Sequence, residues 1–342
     1  SVVGGWILSY LARTIMFSLK PTDGETYATL FTKITESPWE MVIAQGAFFL
    51  LIIFIVQAGI KSGIERASKI MMPALFIFFV ILMIRSLTLD GAMEGVRFMF
   101  VPDWSNLNWE TVLLALGQAF FTLSVGISIM ITYASYLGKK ENIASTAVTV
   151  AGMNIFISLL AGLVIFPAVF SFGFEPDAGP GLVFVVLPAV FEQMPFGTLF
   201  LILFFILLLF ATATSAMSLL ETVVSVVLGE KRQGRVRTTW IVGMIIFAIG
   251  VPSALSAGVL SHIEILGRSI FEFVDFATNS IGMPIGAFLI AIFAGYYYSK
   301  EVSEKELNVS PFWYNAWRLS IRYLVPVAIV VIFVQGLLPL FQ

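Results

Sequence analysis

Gln118 and Thr122 stand four residues apart, a spacing that stacks an amide and a hydroxyl on one helix face. Asn154 and Ser158 repeat the arrangement further along the chain. Two apolar helices that each offer such a pair can surround a small ion. Carbonyl, amide and hydroxyl oxygens are hard ligands suited to Na⁺, while the N–H and O–H ends of the same groups suit Cl⁻. Plain helix–helix hydrogen bonding, usually worth about 0.6 kcal/mol in a membrane, is the competing reading, and spacing alone leaves both open. Ala211, Thr214 and Ser215 share a face at i, i+3, i+4. A carbonyl beside two hydroxyls there can bind a second cation, while spacing alone favours tight packing of small residues. Leu123-Ser124-Val125-Gly126 joins residues that weaken a helix, which predicts an unwound turn with released carbonyls and N–H groups. A glycine that merely lets two helices approach is the other explanation.

These groups sit inside long apolar runs. The chain of 342 residues is 59% hydrophobic and only 12% charged, against about 25% charged in a soluble domain. Runs near Met41–Ile60, Ile70–Leu89, Thr111–Leu137, Ile143–Phe172, Gly197–Leu228, Thr238–Leu260, Phe271–Tyr298 and Arg322–Phe341 are each long enough to cross a bilayer. The composition therefore predicts an all-α, polytopic helical membrane protein. Hydrocarbon satisfies no hydroxyl or amide, so polar groups at that depth face one another, a cavity or a bound ion. Val2–Leu11 meets Arg13 too early to span and carries neither a basic n-region nor a cleavage site, so it reads as the later part of a helix. A short interfacial helix is the alternative.

Loop charges alternate. Basic connections (Lys61, Arg66, Lys69; Lys139, Lys140; Lys231, Arg232, Arg235, Arg237; Lys300, Lys305) interleave with acidic ones (Asp23, Glu25, Glu36; Asp90, Glu94, Asp103; Glu175, Asp177; Glu264 beside His262). The positive-inside rule then predicts cytoplasmic basic loops and an outside C-terminus; the plasma (inner) membrane is the expected location. Lys20–Glu40 is a long outer loop ending in the helix-start pattern Ser37-Pro38-Trp39-Glu40. Leu182–Phe191 is apolar but too short to span, and reads either as a lid-like helical loop or as a surface helix. No strand-like alternation stands out. Arg13, Glu221, Glu272 and Asp275 are ionisable residues within spans, and Glu221 needs a cavity or a partner. Trp240 and Tyr296-Tyr297-Tyr298 read as interface anchors.

The net charge of −2, without a basic block, argues against nucleic acid as a partner. No cysteine is present, which removes disulfides and thiolate chemistry, and the lone His262 falls in a loop. Glu221 and Asp275 lie towards opposite ends of their spans, so no nucleophile–base pair suggests a membrane-embedded enzyme. A channel also fits polar spans with acidic outer loops, and solute accumulation against a gradient would distinguish a carrier from it.

At these residues the chain resembles the neurotransmitter:sodium symporter family, in its bacterial amino-acid-transporting branch. The resemblance rests on Gly117-Gln118-Ala119-Phe120-Phe121-Thr122-Leu123-Ser124, then Ile131-Thr132-Tyr133-Ala134-Ser135-Tyr136. It continues through Asn154, Ala161–Pro167, Ala213-Thr214-Ser215 and Phe273-Val274-Asp275-Phe276, and covers essentially the whole chain. It implies two inverted five-helix repeats plus an extra helix, with this chain lacking the first two helices and part of the third. Residues 1–110 would be the remainder of the first repeat, 111–299 the second repeat, and 300–342 the eleventh helix.

By the same resemblance, Thr122 and Asn154 would hold one sodium, and Ala211, Thr214 and Ser215 a second. Phe121, Thr122, Ser124, Ile127, Ser215, Ala216 and Leu219 would contact substrate, and Phe121 would roof it. Gln118, Thr122, Asn154 and Ser158 are the chloride candidates. Asp275 would serve the outer gate; Tyr136, with Glu230 in place of a usual aspartate, would serve the inner one. The implied activity is sodium-coupled import of an amino acid, hydrophobic or aromatic, by alternating access. The 342 residues alone are expected to be inactive, since the resemblance puts the remaining ligands on the first helix.

Overall fold

The computed structural model describes residues 1–21, 25–138, 141–174, 179–229 and 234–338. Glu230, Asp23, Lys139, Lys140, Glu175, Asp177, Lys231 and Arg232 therefore lie outside the described residues. The helices are α1 (Val2–Ile15), α2 (Tyr27–Glu36), α3 (Pro38–Gln57), α4 (Ile60–Leu87), α5 (Ala92–Phe100), α6 (Trp109–Thr122) and α7 (Ile129–Ala134). There follow α8 (Ile143–Ser171), α9 (Leu182–Glu192), α10 (Gly197–Leu228), α11 (Arg235–Ala254), α12 (Ile270–Tyr297), α13 (Lys300–Leu307) and α14 (Pro311–Leu337). Among the described residues seven helices are long and apolar enough to cross a membrane. The chain is a multi-pass helical membrane protein.

The run Thr111–Leu137 is two helices, α6 and α7, with irregular backbone between them where the unwound turn was expected. Other expectations change: the expected outer loop Lys20–Glu40 contains α2, α4 starts before Ile70, and α11 ends at Ala254, short of Leu260. The last span begins at Pro311, well before Arg322, because Pro at the first helical position and the amphipathic turn Phe312–Leu319 start it earlier. Strands do occur: β1 (Glu264–Ile265) pairs with β2 (Arg268–Ser269), antiparallel, across Leu266 and Gly267. Both turn residues have positive φ, 53° and 70°, the signature of a tight type I′ hairpin. Two-residue strands carry too little alternation to be visible in sequence.

The contacts divide the chain into two compact units. One comprises Ser1–Pro102 and Ser158–Phe271. Its core packs Phe48, Phe49, Ile52, Ile53 and Val56 of α3 against Ala213, Met217, Leu220 and Val224 of α10 and Val242 of α11. Helix α1 lies close on α3 because Gly5 has no side chain; a Cβ there would fall 2.7 Å from the Gln45 backbone nitrogen. Phe184, Leu187, Val190 and Phe191 of α9 are buried, and Phe184 meets Trp6, Tyr10, Phe31 and Phe205 ring to ring. The short apolar run is thus packed into this unit rather than laid bare on a surface.

Thr26 caps α2 reciprocally with Thr29. From α2, Tyr27 Oη donates to Glu192 Oε2 at 2.8 Å. Burial, and then this bond, push the Tyr27 phenol well above the usual tyrosine range.

The second unit comprises Asp103–Ile157 and Glu272–Gln342. Ala287 and Ala291 of α12 pack on Ile329 of α14, with Phe120 and Val125 against them. Small residues on α12 permit this approach.

Candidate functional site

Helix α6 is started by Asn108, whose Oδ1 accepts from the Thr111 backbone N–H at 2.9 Å. It ends at Thr122. Beyond it Ser124, Gly126 and Ser128 take φ of 54°, 94° and 63°, so the chain turns left-handed three times before α7 begins. Glycine adopts this readily; serine does so at some cost. Gly126 has a second reason to be glycine. A Cβ there would press on Met283 O and fall 2.9 Å from Ala287 N, while a Cβ on Gly286 would strike Gly126 O. The break is therefore held backbone to backbone on α12.

At the end of α6, Gln118 Nε2 donates to Thr122 Oγ1 at 3.2 Å, so the two polar side chains do share a face. The Phe121 carbonyl accepts from Ser124 N–H at 3.0 Å and the Phe120 carbonyl from Val125 N–H at 3.1 Å. Carbonyls gathered at a helix C-terminus present partial negative charge, which favours a cation. Gln118 and Phe121 also line a cavity of about 350 Å³ with Asn279, Ser280 and Met283 of α12. Asn154 lies on α8, half-buried, with Ser158 one turn further and exposed. Ile127, within the break, is half-buried. Asp275 precedes a π-helical turn, Ala277–Gly282, and its Oδ1 accepts from Asn279 Nδ2 at 2.8 Å. Tyr136, just past α7, is half-buried.

In the other unit, α10 carries the second oxygen set. Thr214 Oγ1 donates to Ala211 O at 2.8 Å, and Ser215 Oγ donates to the same carbonyl at 3.1 Å. Three oxygens are thereby gathered on one helical turn, a donor set suited to a hard cation. Ala216 is buried in the α3–α10 core, and Leu219 is exposed.

Sequence reasoning asked for a partner for Glu221 and did not name it. The partner is Arg235. Glu221 is fully buried, and Arg235 meets it with two nitrogens, Nη1 at 3.2 Å from Oε1 and Nη2 on Oε2. The same guanidinium donates from Nε and Nη2 to Val56 O, at 3.2 and 2.9 Å, near the end of α3. The only signal was position: Arg235 stands in a basic connection but also opens α11. Arg13 is likewise paired, with both Glu40 oxygens at 2.8 and 2.6 Å, and Ser9 also bonds that carboxylate. Trp240, read as an interface anchor, donates to Gln57 Oε1 at 2.8 Å.

A helix interrupted within an apolar run, and hydroxyl and carbonyl oxygens collected on apolar helices, suit a secondary transporter. Comparison with known proteins agrees. Residues 26–341 match the model of the sodium:neurotransmitter symporter family, and the chain belongs to that family. It is 46% identical to YhdH, a sodium-dependent transporter of Bacillus subtilis (strain 168), over 98% of this chain and 75% of the relative. A sodium-dependent transporter of Haemophilus influenzae is 37% identical over the same shares, 98% and 75%. The crystal structure of MhsT in complex with L-phenylalanine superposes with a TM-score of 0.88 at 41% identity. That match covers 98% of this chain and 77% of MhsT.

Proposed function

We propose that the protein couples inward Na⁺ movement to uptake of a hydrophobic or aromatic amino acid, by alternating access. The observation that carries this is the left-handed break between α6 and α7, which ends a half-helix on its carbonyls within the apolar run Thr111–Leu137. The likeness to MhsT, solved with L-phenylalanine, supports the substrate class. So does similarity to the sodium-dependent nutrient amino acid transporter 1 of Drosophila erecta, 27% identical over 89% of this chain.

In this reading Thr122 and Asn154 give side-chain oxygens to one Na⁺. The Ala211 carbonyl with the Thr214 and Ser215 hydroxyls gives oxygens to another. Carbonyls around Phe121, Thr122 and Ser124 receive the substrate ammonium, and Phe121 covers it. Ile127, Ser215, Ala216 and Leu219 contact the rest of the substrate. Gln118, Thr122, Asn154 and Ser158 offer N–H and O–H donors to chloride. Asp275 works at the outer gate, Tyr136 and Glu230 at the inner one. The repeats run through residues 1–110 and 111–299, with 300–342 appended, in a plasma-membrane protein whose C-terminus is outside.

The test is Na⁺-gradient-driven accumulation of labelled phenylalanine by the full-length protein in liposomes. Accumulation that vanishes with the gradient is expected. Asn154→Ala and Thr214→Ala should each raise the Na⁺ concentration needed for half-maximal uptake about tenfold or more, the size of one lost ion ligand. Unaltered Na⁺ dependence in both variants would refute the assignment. Replacing chloride with gluconate in the same assay tests the anion site.

A further inference from the structure

We propose that the cleft between the end of α1 and the start of α10 binds a zwitterionic phospholipid with a primary ammonium headgroup. The cleft holds about 550 Å³ and lies entirely within one unit. One wall is polar. Glu192 Oε2 accepts from Tyr27, while Oε1 faces Lys20 Nζ across 4.0 Å. That is the outer limit of an ion pair, and the side chains are 62% (Lys20) and 40% (Glu192) exposed, so the pair itself contributes little.

Opposite charges held a few ångströms apart without close contact suit a ligand that carries both signs. An ammonium donates to Glu192 Oε1 and a phosphate accepts from Lys20 Nζ, so one weak pair is exchanged for two charge-assisted contacts. A quaternary ammonium has no proton to give, and a purely anionic headgroup brings no donor to Glu192 Oε1.

The other wall is apolar, and its backbone is strained. Phe17 and Phe196 both have positive φ, 55° and 60°, a conformation costing a residue with a Cβ about 1–2 kcal/mol. Their rings stand 73% and 81% exposed at the ends of apolar helices. Exposed aromatic rings at the ends of apolar helices suit the level where acyl chains meet headgroups. From Leu199 at the cleft, an accessible apolar stripe runs on through Ile202 and Ile206, one helical turn per step. An acyl chain leaving the cleft follows it. A free amino acid has the same pair of charges but leaves the stripe uncovered, which is why the occupant is a lipid.

Native mass spectrometry of the detergent-purified protein tests this. Phosphatidylethanolamine, phosphatidylcholine and phosphatidylglycerol of identical chains are offered at equal concentration. Phosphatidylethanolamine should be retained best. Lys20→Gln and Glu192→Gln should each reduce its retention about fivefold, as expected for a half-exposed ionic contact. Glu192→Lys should turn the preference towards phosphatidylglycerol. Equal retention of the three lipids by the unmodified protein overturns the proposal whatever the variants do. Titrating free phenylalanine against the lipid-loaded protein separates the two zwitterions. A lipid that stays bound supports the proposal, and displacement by phenylalanine overturns it.

Discussion

Single residues here do work that neighbouring substitutions could not. Arg235 answers the buried Glu221 carboxylate and takes up the Val56 carbonyl near the end of α3. Removing one partner of a buried pair leaves the other charge stranded, which costs about 3–5 kcal/mol. Glu221→Ala should therefore lower the melting temperature in detergent sharply, and Glu221→Gln, which keeps an acceptor for the guanidinium, should lower it less. Equal, small effects would show that the pair adds little. Gly126 is constrained twice, by its φ of 94° and by Met283 and Ala287 of α12. Gly126→Ala combines a left-handed penalty with a backbone clash, so it should destabilise by about 2 kcal/mol or more on thermal unfolding.

Among the elements, the α6–α7 break is the one on which the proposed function rests. Ser124 holds φ of 54° without being glycine. Ser124→Gly should be neutral or stabilising, whereas the β-branched Ser124→Val should cost about 1–2 kcal/mol and slow uptake. Both are read from a melt and an initial-rate assay. If valine behaves like glycine, the left-handed turn does not exist in the working protein.

This break was legible as one of two readings, because Ser124 and Gly126 are poor helix formers in an otherwise apolar run; the other reading, close helix approach at Gly126, holds as well. The spans were legible because their apolar runs are long and uninterrupted. The end of α11 was less so. Pro252 and the turns after Ala254 close the helix, yet Leu255–Leu260 stays apolar enough to read as continued span. The partners of Glu221 and Arg13 stayed hidden, since pairing across helices leaves no mark on spacing along one chain. Thr214 and Ser215 were visible as a face. That both hydroxyls turn onto Ala211 is rotamer chemistry that one-dimensional order does not encode.

For the molecule as a whole, binding of Na⁺ by the folded state alone must stabilise it by linkage. At one hundred times its dissociation constant the ion adds about 2.7 kcal/mol. The melting temperature should rise with NaCl but not with KCl at equal ionic strength, and Thr214→Ala should flatten that rise. A rise of equal size with both salts would mark general screening instead. The clustering of oxygens on α10 has one more implication. The Ala211 carbonyl accepts from both Thr214 and Ser215, so the three oxygens sit together on one helical turn. In the proposed Na⁺ site a cation would have only to swing two hydroxyl protons aside, inheriting an assembled cradle instead of building one.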